Sequence, residues 1–281
     1  MPLLKVSSTL DIHYELDDFT DPWRDAPILI LQHGNGRSAR FWQRWVPYLA
    51  RHYRIVRPDM RGLGQSRGAL DLATDITPDL LVEDLTKLIA ALGGGPVHFC
   101  GESMGGILGI MLSARHPELV RSLTLVATPV FIEEGMKTKY SLGHGSRTEA
   151  MEKMGIHAWV AETTRGTRLP EGEEPDLFKW YVEEFSKGSP EVQVAMSRVV
   201  NQANVVDLLP LVSVPVLGLY PTSGQITSSY QERLLKQGLP CLELEHLPTS
   251  YHMIQLLYPS TCTSRVLAFC GKIDGYVPTD R

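Results

Sequence analysis

The hexapeptide Gly101-Glu102-Ser103-Met104-Gly105-Gly106 sets a serine between glycines. A strand-like run, "PVHFC", precedes it, and a helix-like run, "ILGIMLSAR", follows. This is G-x-S-x-G in the strand–turn–helix setting that the motif requires. Such a turn is too sharp for bulky neighbours, so Gly101 and Gly105 flank the serine. It lifts the hydroxyl above a sheet and makes Ser103 the candidate nucleophile. The Met104 amide is left at a helix N-terminus, where backbone N–H groups lack partners and the dipole favours an anion. A second turn, "LQHGNGRSARFW" (Leu31–Trp42), follows the apolar run "PILIL". There His33-Gly34 places the Asn35 amide beside the nucleophile. Asn35 and Met104 would then form an oxyanion hole, a device whose loss of one donor costs on the order of 10²–10³ in rate.

A serine needs a base within hydrogen-bonding reach. Of the nine histidines, His252 in "LPTSYHMIQLLYP" follows the last strand-like run and precedes the last helix-like run. It is the candidate base. His98 lies inside a strand-like run and His116 in the helix exit "RHPELV", and both read as structural. The stretch Gly34–Ala39 also fits G-x-G-x-x-G/A after a strand, with Asp59 ending the next strand near where a ribose-binding acid would lie. That dinucleotide-binding reading is the competitor, and it leaves "GESMGG" unexplained.

The elements that must hold these residues alternate. Ile12, Tyr14 and Leu16 alternate with polar residues, as on a half-buried strand. "PILILQ", "YRIVRPD", "PVHFC" and "RSLTLVAT" are compact apolar runs that suit buried parallel strands. Helical patterns lie between them: Trp42–Ala50, Thr77–Leu92 behind a cap residue and a proline, and the run after Ser103. The rhythm implies a parallel sheet with helices on both faces. From 129 to 207 it stops. That stretch has helical periodicity, the charge cluster "EGEEPD" and aromatics (Trp159, Phe178, Trp180, Tyr181, Phe185), and no strong strand. Segments 1–128 and 208–281 are expected to form the core, with 129–207 as a helical cap.

The chain has 281 residues, 43% hydrophobic and 21% charged, enough for a sizeable core. A net charge of -5 provides no basic surplus for nucleic acid. The N-terminus carries no secretory pattern and no stretch is long and apolar enough to span a bilayer. Cys100, Cys241, Cys262 and Cys270 form no C-x-x-C pattern and read as free thiols. These features predict a cytoplasmic protein acting on a small molecule, as a monomer or homodimer, with no nucleic-acid or membrane partner.

"HGNG" with "FW", "RPDMRGLGQS", "GESMGG", "HPELVRSLTLVATP" and "YHMIQLLYP" occur in an order that resembles the α/β-hydrolase superfamily, in its esterase, lactonase and carbon–carbon hydrolase branch. The resemblance covers about 1–130 and 207–270. It implies a mostly parallel eight-stranded sheet, a Ser–His–acid triad, no cofactor and no metal. The expected activity is hydrolysis of an ester or lactone of an apolar or aromatic small molecule through an acyl-enzyme. The alternatives on the same fold are a cofactor-free lyase or oxygenase and a ligand-binding receptor. One landmark is missing. The family's acid falls at Gly224, in the acid-free loop "YPTSGQITSS". Glu134 is the first choice for a displaced acid, with Glu133 beside it and Asp207 as further candidates.

Overall fold

Near the N-terminus two antiparallel strands, β1 (Leu3–Lys5) and β2 (Leu10–Asp17), lead into the sheet. The computed structural model describes residues 2–276, so residues 1 and 277–281 of the expected core segments lie outside the described residues. The following strands are β3 (Ile28–Gln32), β4 (Arg54–Pro58), the two-residue β5 (Arg67–Gly68), β6 (Val97–Glu102), β7 (Val120–Val126), β8 (Val216–Pro221) and β9 (Leu242–Leu247). Eight of them run in the order β1-β2-β4-β3-β6-β7-β8-β9, and β5 pairs with β2 at the side. β2 is antiparallel to β4, and every pair from β4 to β9 is parallel. The order reverses around β3 and β6, and the two chemical turns leave the carboxyl ends of those neighbouring strands. That crevice is where open α/β sheets place ligands.

Burial explains the apolar runs. Every residue of β6 and β8 is buried. Successive side chains point to opposite faces. Leu29, Leu31 and Cys100 join one core with Trp42, Trp45 and Val266, while Ile30 and Phe99 join the other with Leu85, Ile107 and Met111. The helices beside the sheet include α1 (Val46–Leu49), α2 (Pro78–Ala91) and α3 (Met104–Arg115). α2 starts as its sequence predicts: Thr77 Oγ1 accepts the Leu80 amide at 3.3 Å, with Pro78 at the first position.

The 129–207 stretch is helical. It contains α4 (Glu134–Ser141), α5 (Arg147–Met154), α6 (Ile156–Thr164), α7 (Pro175–Phe185) and α8 (Pro190–Gln202). Its ends meet: Val205 N donates to Val130 O at 2.9 Å, beside a bridge between Phe131 and Asn204. The remaining helices are α9 (Ser229–Gly238), α10 (Ile254–Leu257) and α11 (Pro259–Asp274). Among the described residues no helix is long and apolar enough to cross a membrane, and all four cysteines are free.

Candidate active site

Ser103 joins β6 to α3 with φ 55° and ψ −118°. A non-glycine residue with positive φ is held there against a steric cost. Its amide donates to Val126 O at 3.0 Å, which fixes the turn against β7. The flanking glycines are required by close approach. A Cβ on Gly101 would stand 2.3 Å from the Gly105 carbonyl carbon, and one on Gly105 would stand 2.3 Å from Gln32 O. The strand end, the next helix and the β3 turn therefore touch backbone to backbone, leaving Ser103 partly exposed in an otherwise buried neighbourhood.

The β3 turn is held by His33. Its Nδ1–H donates to Gly34 O at 2.8 Å, while Nε2 accepts the Met60 amide at 3.0 Å. These two bonds need the neutral ring, and burial lowers its pKa. Gly34 N donates to Glu102 Oε2 at 3.1 Å. Neither Asn35 N nor Met104 N is a donor in any turn, loop or side-chain hydrogen bond of the described residues. The Asn35 side chain reaches the helical insertion, with Nδ2 3.4 Å from Ser197 Oγ.

The glycines of Gly34–Ala39 serve this packing. A Cβ on Gly36 would meet the Phe185 ring at 2.2 Å, and Gln193 Nε2 donates to Gly36 O at 3.1 Å. Asp59 is engaged by His13 Nδ1 at 2.7 Å, Ala39 N at 2.6 Å and Gln65 N at 2.9 Å, so it is not available to a ribose. The dinucleotide reading falls on these contacts. No group of three histidine, cysteine or carboxylate side chains among the described residues is placed to hold a metal ion.

His252 sits between β9 and α10, and its loop is strapped to the insertion. His252 N donates to Thr167 O at 2.9 Å, and Met253 N to Arg168 O at 3.1 Å. Its ring Nε2 is 3.2 Å from Glu102 Oε1, with both side chains buried. The contact is an ion-pair distance rather than an aligned hydrogen bond, since Oε1 has no hydrogen-bond partner among the described residues. The other carboxylate oxygen, Oε2, takes the Gly34 amide and Arg37 Nη1 at 3.0 Å. Burial pushes the Glu102 carboxyl up, and Arg37 and His252 more than reverse it, holding it below the usual carboxylate range. Burial lowers the His252 pKa against the opposing pull of Glu102, with Arg37 and Arg168 adding to the decrease. Ser103 Oγ makes no hydrogen bond to His252 among the described residues.

The three acids expected to partner His252 are elsewhere. Glu134 is exposed at the start of α4 and pairs with Lys137 at 2.6 Å. Glu133 Oε1 accepts from Gln231 Nε2 at 3.0 Å and from Ser228 Oγ. Asp207 is exposed in the first turn of a 3-10 helix. The carboxylate that does reach His252 is Glu102, which lies inside the serine motif. The sequence reading missed it: an acid inside the motif and an acid-free loop after β8 are both visible in the sequence, but neither singles out Glu102 as the partner of His252. That loop carries another load. Gln225 Nε2 donates to Gly166 O at 2.8 Å, and Gln225 Oε1 accepts from Lys139, tying the sheet to the insertion.

Comparison with known proteins agrees with this architecture. The pattern of the family described as alpha/beta hydrolase fold matches residues 27–148. RutD of Azorhizobium caulinodans, provisionally named a carbamate hydrolase, is 25% identical over 94% of this chain and 96% of its own. The 3-oxoadipate enol-lactonase 1 of Acinetobacter baylyi is 26% identical over 81% of this chain and 82% of its own. The crystal structure of an enol-lactonase from Burkholderia xenovorans superposes with a TM-score of 0.84, at 24% identity, covering 96% of this chain and 99% of that one.

Proposed function

Because the chain belongs to the α/β-hydrolase superfamily and is a hydrolase of that fold, we propose that it cleaves a carboxylic ester or lactone through an acyl-enzyme on Ser103. The observation that carries this reading is the positive-φ turn at Ser103, which presents the hydroxyl at a helix N-terminus. The enol-lactonase relatives support the ester or lactone class.

Ser103 attacks the carbonyl, and His252 takes the serine proton. With its Nε2–H turned to Glu102, His252 keeps the lone pair on Nδ1 for that proton. Glu102 then stabilises the imidazolium, the task that an acid from the β8 loop would otherwise perform. Arg37 and the Gly34 amide hold Glu102 by Oε2 and leave Oε1 toward the ring. The Asn35 and Met104 amides receive the oxyanion. Proton transfer requires Ser103 and His252 to close when substrate is seated, a tightening common on substrate binding. The substrate is a small molecule held between the sheet and the helical insertion.

The test is labelling by a fluorophosphonate together with turnover of aryl esters, lactones and carbamates. Ser103→Ala should remove the label and lower turnover by on the order of 10⁶. Unchanged turnover in that variant overturns the mechanism.

A further inference from the structure

Five arginines are buried among the described residues: Arg37, Arg57, Arg61, Arg147 and Arg168. Three face a carboxylate, in the pairs Arg37–Glu102, Arg57–Asp17 and Arg61–Asp84. Arg147 and Arg168 have no carboxylate partner among the described residues, although they are only 5% and 3% exposed. Arg147 makes no side-chain hydrogen bond to any described residue, and its buried Nε has no partner. Arg168 bonds only neutral groups, the hydroxyls of Thr163 at 2.8 Å and Thr164 at 3.4 Å. Leaving buried charge without an opposite charge is expensive.

The two cations share one location. The Arg147 Cζ lies 5.3 Å from the Tyr140 ring centre and 4.9 Å from that of Trp159, and the Arg168 Cζ lies 4.7 Å and 5.6 Å from the same rings. Cation–π attraction eases the burial of each but does not replace a counter-ion. The Tyr140 hydroxyl is also buried without a hydrogen-bond partner. The location adjoins the catalytic residues. Arg168 O accepts the amide of Met253, next to His252, and the Arg168 charge lowers the His252 pKa. Burial and the neighbouring Arg168 pull Arg147 down to about 9, so it stays charged at neutral pH.

We infer that Arg147 and Arg168, with the Tyr140 hydroxyl, bind a carboxylate carried by the substrate. The inference rests on the serine-hydrolase reading for its reaction and narrows the substrate to an anionic ester or lactone, in place of the apolar one expected from the aromatic content of the insertion. Guanidinium groups suit this role because each can give two parallel N–H bonds to a carboxylate. Held there, the anion would fix the scissile carbonyl relative to Ser103.

The test compares two esters with one leaving group and one acyl length. 4-Nitrophenyl hexanoate is neutral, and the 4-nitrophenyl half-ester of adipic acid ends in a carboxylate. Arg147→Gln and Arg168→Gln should each lower kcat/KM for the half-ester by on the order of 10- to 100-fold, and change that for hexanoate by less than about threefold. Equal losses on both esters, or no loss on either, would overturn the inference. A binding arm separates it from the serine mechanism. Adipate, and not neutral adipamide, should raise the melting temperature of the Ser103→Ala protein, and adding Arg147→Gln should remove that rise. Adipate binding without turnover of either ester refutes the serine-hydrolase reading and leaves the anion site standing. If an arginine variant fails to fold, the Ser103→Ala protein still decides: equal response to adipate and adipamide refutes the site.

Discussion

A carboxylate one residue before the nucleophile is an unusual source for the histidine's partner, and it makes a sharp prediction. Glu102→Gln keeps the shape and the acceptor for the Gly34 amide but removes the charge that favours imidazolium. Turnover should fall by on the order of 10³–10⁴, while Glu133→Ala, Glu134→Ala and Asp207→Ala should stay within about twofold of the parent. The same variant should move the acid limb of kcat/KM. In the parent, His252 is neutral to a pH below the ordinary histidine value, because burial and the nearby arginines disfavour its charged form. Removing the Glu102 charge lowers the His252 pKa further, so the limb should shift to lower pH. A limb that shifts upward or stays fixed would show that Glu102 does not face the base. The places of Ser103 between β6 and α3 and of His252 between β9 and α10 were legible in the sequence, because hydrophobic periodicity can locate those junctions. Glu102 was not, since the x of G-x-S-x-G is free in the pattern. Its approach to a residue 150 positions later is decided by how β6 and the β9–α10 loop meet.

At the scale of elements, the alternation of apolar runs and helical patterns predicted the central strands and the helical stretch from 129 to 207. The sequence underdetermined the edges. β1 and β5 are short, largely exposed and lack an alternating pattern long enough to detect. The helix expected over Trp42–Ala50 is a 3-10 turn, Ala39–Trp45, followed by α1. Pro47 has no N–H to give to the carbonyl four residues back, and its ring crowds that carbonyl, so one continuous α-helix cannot pass through it. The acid-free β8 loop is likewise intelligible only in three dimensions, where Gln225 links Gly166 O to Lys139. Gly166 immediately precedes the Thr167-Arg168 strap that holds the His252 loop. Gln225→Ala should therefore cost little global stability, on the order of 1 kcal/mol or less for an exposed bond. Amide hydrogen exchange should nevertheless quicken at residues 252 and 253, and KM should rise more than kcat falls. Unchanged exchange at both amides would show that the strap does not depend on the loop.

For the whole molecule, the buried ionisable groups set how stability responds to acid. His33 and His252 are neutral in the fold with pKa values lowered by burial. The unfolded chain takes their protons first as pH falls, so both favour unfolding on descent through the ordinary histidine range. Glu102, Asp59 and Asp274 have depressed values; for each, burial opposes the charge and bonded or charged neighbours outweigh it. Their contribution is complete above the ordinary carboxylate range and is lost as pH drops through the folded values, which for Asp274 means from 3.8 to about 2. Asp84 works the other way. Burial raises it despite its pairing with Arg61, so it gains stability slightly on acidification. The sum predicts loss of stability in two stages. The urea midpoint should fall between pH 7.5 and pH 5.5, where only the histidines change charge, and fall again below pH 4.5 as the carboxylates protonate. His252→Gln should reduce the first stage, with His33 still titrating there, and leave the Asp59 and Asp274 part of the second. The change in urea midpoint over that upper interval, compared between parent and variant by circular dichroism, measures this directly. If the parent loses nothing between pH 7.5 and pH 5.5, then His33 and His252 titrate alike in the folded and unfolded chains. The site would then be open to water, and the buried Glu102–His252 pair could not govern the reaction in the way its geometry implies.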